Sequence, residues 1–332
     1  MLRATEAKKA RIDSVDFLRG IAAFAVMLFH YTAQTSIQLR EENPLRMVGV
    51  YGHWGVPIFF VLSGFVIPYS MHLSHYRIDL IGRFLLKRTI RIEIPYLALI
   101  TIEVLLILIS SLTPWKNGFN HRLDFLNILL HIGYLNGIIA KPWLIPIFWT
   151  LAIEFQFYLL IALLFSLVSQ KKFLLRFLFI AGLVILSLIF QQQYFVFAYG
   201  LFFLSGIVCF QVFSGIIEPK EFVVLLTGIL TAVYFQHGLF SFFVIGITVI
   251  IILFLKYDGK WSNFLGKISY SIYLIHIPFG GRLLMLTQLY IHDEWIKSLL
   301  ILVYLATTIF TAWLFFLIIE EPSLRLSKRI TY

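Results

Sequence analysis

The chain has 332 residues, 60% of them hydrophobic and only 13% charged, with a formal net charge of +10 and a mean hydropathy of +0.89. A soluble domain carries roughly 25% charged residues, so a water-soluble globule is excluded. A lone cysteine, Cys209, excludes a disulfide framework.

The apolar runs are about 20 residues long, which is what a helix needs to cross about 30 Å of hydrocarbon. They lack the period-2 alternation of barrel strands, so the expected fold is an all-α integral membrane bundle. The opening stretch "MLRATEAKKARIDSVDF" is polar for too long to be a signal peptide, and no small-residue cleavage site follows; the first helix is retained. Ten spans are expected, at 15–36, 53–71, 92–112, 146–168, 173–190, 194–213, 221–236, 239–255, 267–290 and 297–320. Between the third and fourth, the stretch 120–139 mixes Asp124, Asn127, His131 and Asn136 with apolar residues. It reads as an interfacial or re-entrant segment. With the N-terminus in the cytoplasm, 20 of the 27 Lys and Arg fall on the inside. The positive-inside rule then puts both termini in the cytoplasm. The basic charge is thus a topology signal rather than a nucleic-acid surface. No linker, repeat or soluble second domain interrupts the chain, and residues 1–332 read as one membrane-embedded domain.

Ionisable groups inside spans are costly, about 2.5–3.5 kcal/mol each at a helix centre, and usually face a bundle interior or a wet cavity. Here they are Asp16, Arg19, His30, Glu103, Glu154, His276 and Arg282. The first span, "LRGIAAFAVMLFH", holds Arg19 and His30 eleven residues apart. That spacing is three helical turns plus about 20°, so both lie on one face, about 16 Å apart along the axis. Glu154 enters its span from the outside and sits roughly 12 Å deep, a level similar to that of His30. A carboxylate beside an imidazole fixes its tautomer and raises its basicity, as a general base requires. The stretch "RIDLIGRFLLKRTIRIEIPY" (77–96) carries Arg83, Lys87, Arg88 and Arg91. Residues 83, 87 and 91 form one stripe, either a lipid anchor or a phosphate clamp. "GHWGVPIFFVLSGFVIPY" (52–69) offers Ser63 and small residues for close helix packing. Two function classes compete on these residues. One is an enzyme with a His30 base. The other is a polytopic transporter or flippase with His30, Glu103, Glu154 and His276 as a proton relay.

Six motifs in order resemble the membrane-bound acyltransferase family 3, the O-acyltransferases of bacterial surface glycans. They are Arg19 with His30, "GVPIFFVLSGF" (55–65), "RTIRIEIPY" (88–96), "FWTLAIEFQFY" (148–158), "LGKISYSIYLIHIP" (265–278) and "IEEPSLR" (319–325). Thr150 stands where Ser is commoner in the family. The resemblance implies an acyl-CoA donor, acetyl-CoA by default, arriving from the cytoplasm. It implies a hydroxyl of a cell-surface polysaccharide or its lipid-linked precursor as acceptor, in the bacterial cytoplasmic (inner) membrane. His30 becomes the catalytic base or acyl carrier, with Arg19 and Glu154 as partners. Arg88 and Arg91, extended by Lys87 and Arg83, become the donor-binding set. Asp16, Ser63, Tyr270 and His276 are further site candidates. No metal and no permanently bound cofactor is expected; acyl-CoA is a co-substrate. Many family members add a soluble hydrolase-like domain, which is not expected in this chain.

Overall fold

The computed structural model describes residues 12–34, 39–112, 124–288 and 290–332, and every element among them is helical. Helix α1 (Asp13–Phe29) continues into a π segment, His30–Gln34. Short α2 (Pro44–Gly49) leads through a tight turn into α3 (Gly55–Leu73). Then come α4 (Ile81–Ser111), α5 (Phe125–Ile132), α6 (Phe148–Val168), α7 (Phe173–Ile189) and α8 (Gly200–Phe213). Helix α9 (Pro219–Phe254) follows, and α10 (Lys260–Ile275) passes through a second π segment, His276–Gly281, into α11 (Arg282–Gln288). Helix α12 (Glu294–Phe315) ends in a third, Phe316–Glu320, before α13 (Glu321–Lys328).

Seven helical stretches among the described residues are long and apolar enough to cross a membrane. This is fewer than the ten expected, and the difference has three sources. Helix α7, with 17 residues, is short. Helix α9 merges two of the expected spans into one stretch of 36 residues. Helices α10 and α11 together carry too many polar residues to qualify, and three of them, Ser269, Tyr270 and Tyr273, line the site described below.

Helix α9 is not straight. Gly238 has φ 85° and ψ 173°, outside the helical region, which glycine enters without the steric cost of a Cβ. Sixteen residues apart, Gly246 and Leu230 would be about 24 Å apart on a straight helix. Yet a Cβ built on Gly246 lies 3.7 Å from Leu230 Cδ1. The chain therefore turns back at Gly238, and α9 is two antiparallel arms.

The directions of the other helices follow from their contacts. Arg19 meets Ser269 and Tyr31 meets His276, so α1 and α10 run parallel. Tyr270 meets Ile92 and Arg282 meets Glu103, so α4 runs with them. Thr150 meets Tyr273 while Tyr158 lies against Arg88, so α6 runs the other way. Helix α12 also opposes them, since Thr308 meets Tyr31 and Glu320 meets Ser271. The outer faces carry large exposed apolar side chains, Phe235 at 79% and Ile318 at 71% among them. Apolar surface of that extent belongs against lipid.

The expected interfacial or re-entrant segment is an eight-residue helix, α5, followed by turns up to Ile147; residues 113–123 lie outside the described residues. Eight residues span about 12 Å and cannot cross a bilayer.

Candidate active site

A cavity between α1, α3, α4, α6 and α10 encloses about 910 Å³, counting its mouth. Arg19, Arg88 and Arg91 line it, and so do the carboxylates Glu154 and Glu320. Helix α1 delivers Arg19 at its crossing with α10, where Asp16 packs its backbone against Gly266. There Arg19 Nε donates to Ser269 Oγ at 3.2 Å. The π segment at the end of α12 brings Glu320 inward. Its Oε2 accepts from the Ser271 backbone N–H at 3.1 Å and from Ser271 Oγ at 2.5 Å. Glu154 Oε1 accepts from Ser63 Oγ at 3.0 Å and from Tyr158 Oη at 2.6 Å. Tyr270 Oη donates to the Ile92 carbonyl at 3.0 Å, tying α10 to α4 beside the cavity.

The arginines are the cavity's dominant charges. Arg91 faces Arg19 and Arg88 as well as Glu320. The Arg88 guanidinium lies against the rings of Phe84 and Tyr158, 5.6 and 5.8 Å from their centroids. Arg88 is buried, and its Nε has no hydrogen-bond partner among the described residues. A buried donor left unpaired costs roughly 1–3 kcal/mol, more when charged. Three guanidinium groups against two carboxylates leave the cavity cationic. Forked donors of this kind match the oxygens of a phosphate.

Aromatic rings close the other end. Phe59 and Tyr273 both line the cavity and pack edge to face, 5.9 Å apart. The Tyr273 hydroxyl shares a hydrogen with Thr150 Oγ1 at 2.6 Å and reaches the Ile147 carbonyl at 3.3 Å. Just beyond, the His276 ring stands 5.7 Å from Tyr273 and 4.9 Å from His30. Both histidines are buried. His276 Nδ1 faces two carbonyls, Tyr273 at 2.7 Å and Ile272 at 3.2 Å. A carbonyl only accepts, so Nδ1 carries the hydrogen and Nε2 keeps its lone pair. That Nε2 is buried and has no partner among the described residues. Each histidine opens a π segment, and such insertions concentrate at functional sites.

Arg19, Ser63, Arg88, Arg91, Glu154 and Tyr270 thus share one cavity, and His30 and His276 pair just beyond it. The expected neighbour of His30, Glu154, is engaged with Ser63 and Tyr158 instead. Thr150 already stands level with Tyr273, so Glu154 lies one turn further down α6. Arg83 and Lys87 do not line the cavity. Arg83 is exposed, and Lys87 Nζ lies 4.8 Å over the Tyr332 ring, at the level where the chain ends. The expected stripe therefore divides, and Arg88 joins Arg91 in its place. Asp16 is likewise not among the lining residues. Glu103 is gripped by Arg282. The four groups of the expected proton relay consequently occupy three separate places. Sequence reasoning passed over Glu320, Tyr158 and Tyr273. Glu320 carried a readable signal, a carboxylate closing an apolar span. The two tyrosines were indistinguishable from packing aromatics.

Comparison with known proteins bears on the same span. The family model described as "Acyltransferase domain" matches residues 12–320. A protein of Acidianus two-tailed virus, named "Putative acetyltransferase ORF330", is 26% identical over 301 residues, covering 83% of this chain and 86% of its own. No solved structure matches. The match runs from just before Arg19 through Glu320 and so takes in every residue of the cavity: the chain belongs to the Acyltransferase domain family, and it is a helical membrane acyltransferase.

Proposed function

We propose that this protein moves an acyl group, acetyl being the first choice, from cytoplasmic acyl-CoA to a hydroxyl of a cell-surface polysaccharide or its lipid-linked precursor. The observation that carries the reading is the convergence of Arg19, Arg88 and Arg91 on one cavity, with Arg88 Nε buried and unpaired. These arginines hold the phosphates of CoA. The pantetheine arm then follows the cavity toward Tyr273, and the thioester reaches the histidine pair. The viral relative's name points to acetyl.

Counting both arms of α9, α7 and the α10–α11 unit as crossings brings the seven stretches to ten. An even number puts both ends of the bundle on one side, and the Lys and Arg bias makes that side the cytoplasm of a bacterial inner membrane. The arginines lie at the end of the cavity nearer that side, and the histidines sit further across. His30 removes the proton of the acceptor hydroxyl as the oxygen attacks the thioester carbonyl, and CoA leaves as the thiolate and takes up a proton. The His276 Nε2 lone pair, without a partner among the described residues and on a ring 4.9 Å from that of His30, is free to accept a proton or hydrogen bond during transfer. A covalent variant, in which His30 first carries the acyl group, uses the same geometry.

The test is mass analysis of the host's surface glycans with the wild-type gene, without it, and with His30→Ala. A mass increment of one acyl group is expected with wild type alone. An increment that survives His30→Ala, or that never appears, overturns the proposal.

A further inference from the structure

The π segment carrying His276 cannot hold itself. Its sequence is HIPFGG. π turns are rare and occur almost only as single insertions. Pro278 contributes no N–H, and Gly280 and Gly281 enlarge the backbone entropy lost on ordering. Two sets of side chains grip the segment from outside.

The first comes from the π segment that continues α1. Tyr31 Oη bonds the His276 carbonyl at 2.8 Å and Thr308 Oγ1 at 2.7 Å. A Cβ on Gly280 would overlap the Tyr31 hydroxyl, so this grip requires glycine there. The second comes from Arg282, the residue that closes the segment. Its Nη1 donates to the Pro278 carbonyl at 2.8 Å. The same guanidinium clasps Glu103 of α4 in a fork, at 2.7 and 2.6 Å. Only 6% of the Glu103 side chain and 17% of that of Arg282 are exposed. A buried ion pair is weak as a stabiliser, because desolvation offsets most of the attraction. Its use here is directional. It ties one carbonyl of a pliable turn to the long neighbouring helix α4.

We propose that Glu103 and Arg282 are positioning residues for acyl transfer. They fix the Pro278 carbonyl, and with it the turn that sets the His276 ring 4.9 Å from His30. The proposal rests on the reading of the histidine pair as the reacting centre. Neither residue lines the arginine cavity, so they act on the chemical step and leave donor binding alone.

The experiment uses the full-length protein in membranes. It measures kcat, KM for acetyl-CoA and thermal stability per mole of folded protein for wild type, Glu103→Gln, Arg282→Lys and the swap Glu103→Arg with Arg282→Glu. Glu103→Gln is expected to lower kcat roughly 100-fold, the cost of a misplacement of about 1 Å, with KM unchanged. The swap restores the ion pair, yet a glutamate at 282 cannot donate to the Pro278 carbonyl. Stability should recover in the swap while kcat stays low. Arg282→Lys keeps a donor and a charge, and should exceed the swap in kcat. Recovery of kcat together with stability in the swap means a plain helix–helix bridge and overturns the proposal. So does an unchanged kcat in Glu103→Gln, provided His30→Ala is inactive. If His30→Ala retains activity, the site reading falls and this proposal falls with it.

Discussion

Arg83 and Arg88 lie five residues apart near the start of α4, and of the two only Arg88 reaches the cavity. Their charges are identical, so position alone separates a lipid anchor from a ligand contact. Hydrogen bonds to charged groups contribute roughly 1.5–3 kcal/mol, or about tenfold and upward in affinity. Arg88→Ala is therefore expected to raise the dissociation constant of acetyl-CoA at least about tenfold, while Arg83→Ala leaves it within about twofold. Calorimetric titration of purified protein decides it, and equal effects in the two variants would return the basic stretch to lipid anchoring. Residue spacing made part of this legible. Arg19 on α1 and His30 at the start of its π continuation both turn toward α10 and the segment after it, Arg19 to Ser269 and His30 to His276. The partner of His30 was not legible. His276 is far away in sequence, and only the parallel packing of α1 on α10 brings the rings together. Glu154 looked suitable by depth, but depth within a span does not specify which way a side chain turns.

The stretch from Asp124 to Ile147 is where an element's local chemistry reaches the site. The Asp124 side chain accepts from the Leu126 N–H at 3.0 Å and starts α5. His131 then bridges the helix to the following turn. Its Nδ1 bonds the Asn127 carbonyl at 2.7 Å, and its Nε2 accepts the Leu144 N–H at 3.1 Å. Both bonds together demand the neutral ring, and burial holds the imidazole below its ordinary range. Three residues beyond Leu144, the Ile147 carbonyl receives both Thr150 and Tyr273. An unfolded histidine titrates near about pH 6.5. The folded group titrates lower, so its contribution is fully present above about pH 6.5 and is lost as pH falls below that value. Protection of the Leu144 amide, corrected for intrinsic exchange, should therefore decline between about pH 7.5 and 5.5. His131→Phe should lower it at every pH and abolish the trend; a flat wild-type profile would contradict the assigned tautomer. Sequence reading found the polar residues of this stretch but not their use. Hydropathy registers that Asn127, His131 and Asn136 are misplaced in lipid and carries no information about hydrogen bonds between them.

Across the whole molecule, membrane residence follows from composition, and helical class from the missing period-2 alternation, because only helices and closed barrels satisfy the backbone's polar groups in hydrocarbon. The number of crossings is less directly readable. A window of hydropathy sees α9 as one stretch of 36 residues, about 54 Å of helix and far more than a bilayer's thickness. The polar interruption at Gln236, His237 and Gly238 divides it, and the backbone reversal at Gly238 makes the division physical. Likewise α10 falls short as an apolar span because Ser269, Tyr270, Ser271 and Tyr273 serve the site. The reversal has a consequence that accessibility can test. Single cysteines at Lys220 and Lys256 should lie on the same side of the membrane, with one at Leu239 on the other. In the ten-crossing arrangement, Arg83 joins the first pair and Glu41 joins Leu239. The native Cys209 is buried and does not interfere. A membrane-impermeant maleimide applied to intact cells should label the Glu41 and Leu239 positions and reach Arg83, Lys220 and Lys256 only after permeabilisation. Labelling Lys220 and Lys256 from opposite sides would mean that α9 crosses once. Helix α10 would then enter the membrane from the side opposite to α1, which the parallel contacts of Arg19 with Ser269 and of Tyr31 with His276 do not allow.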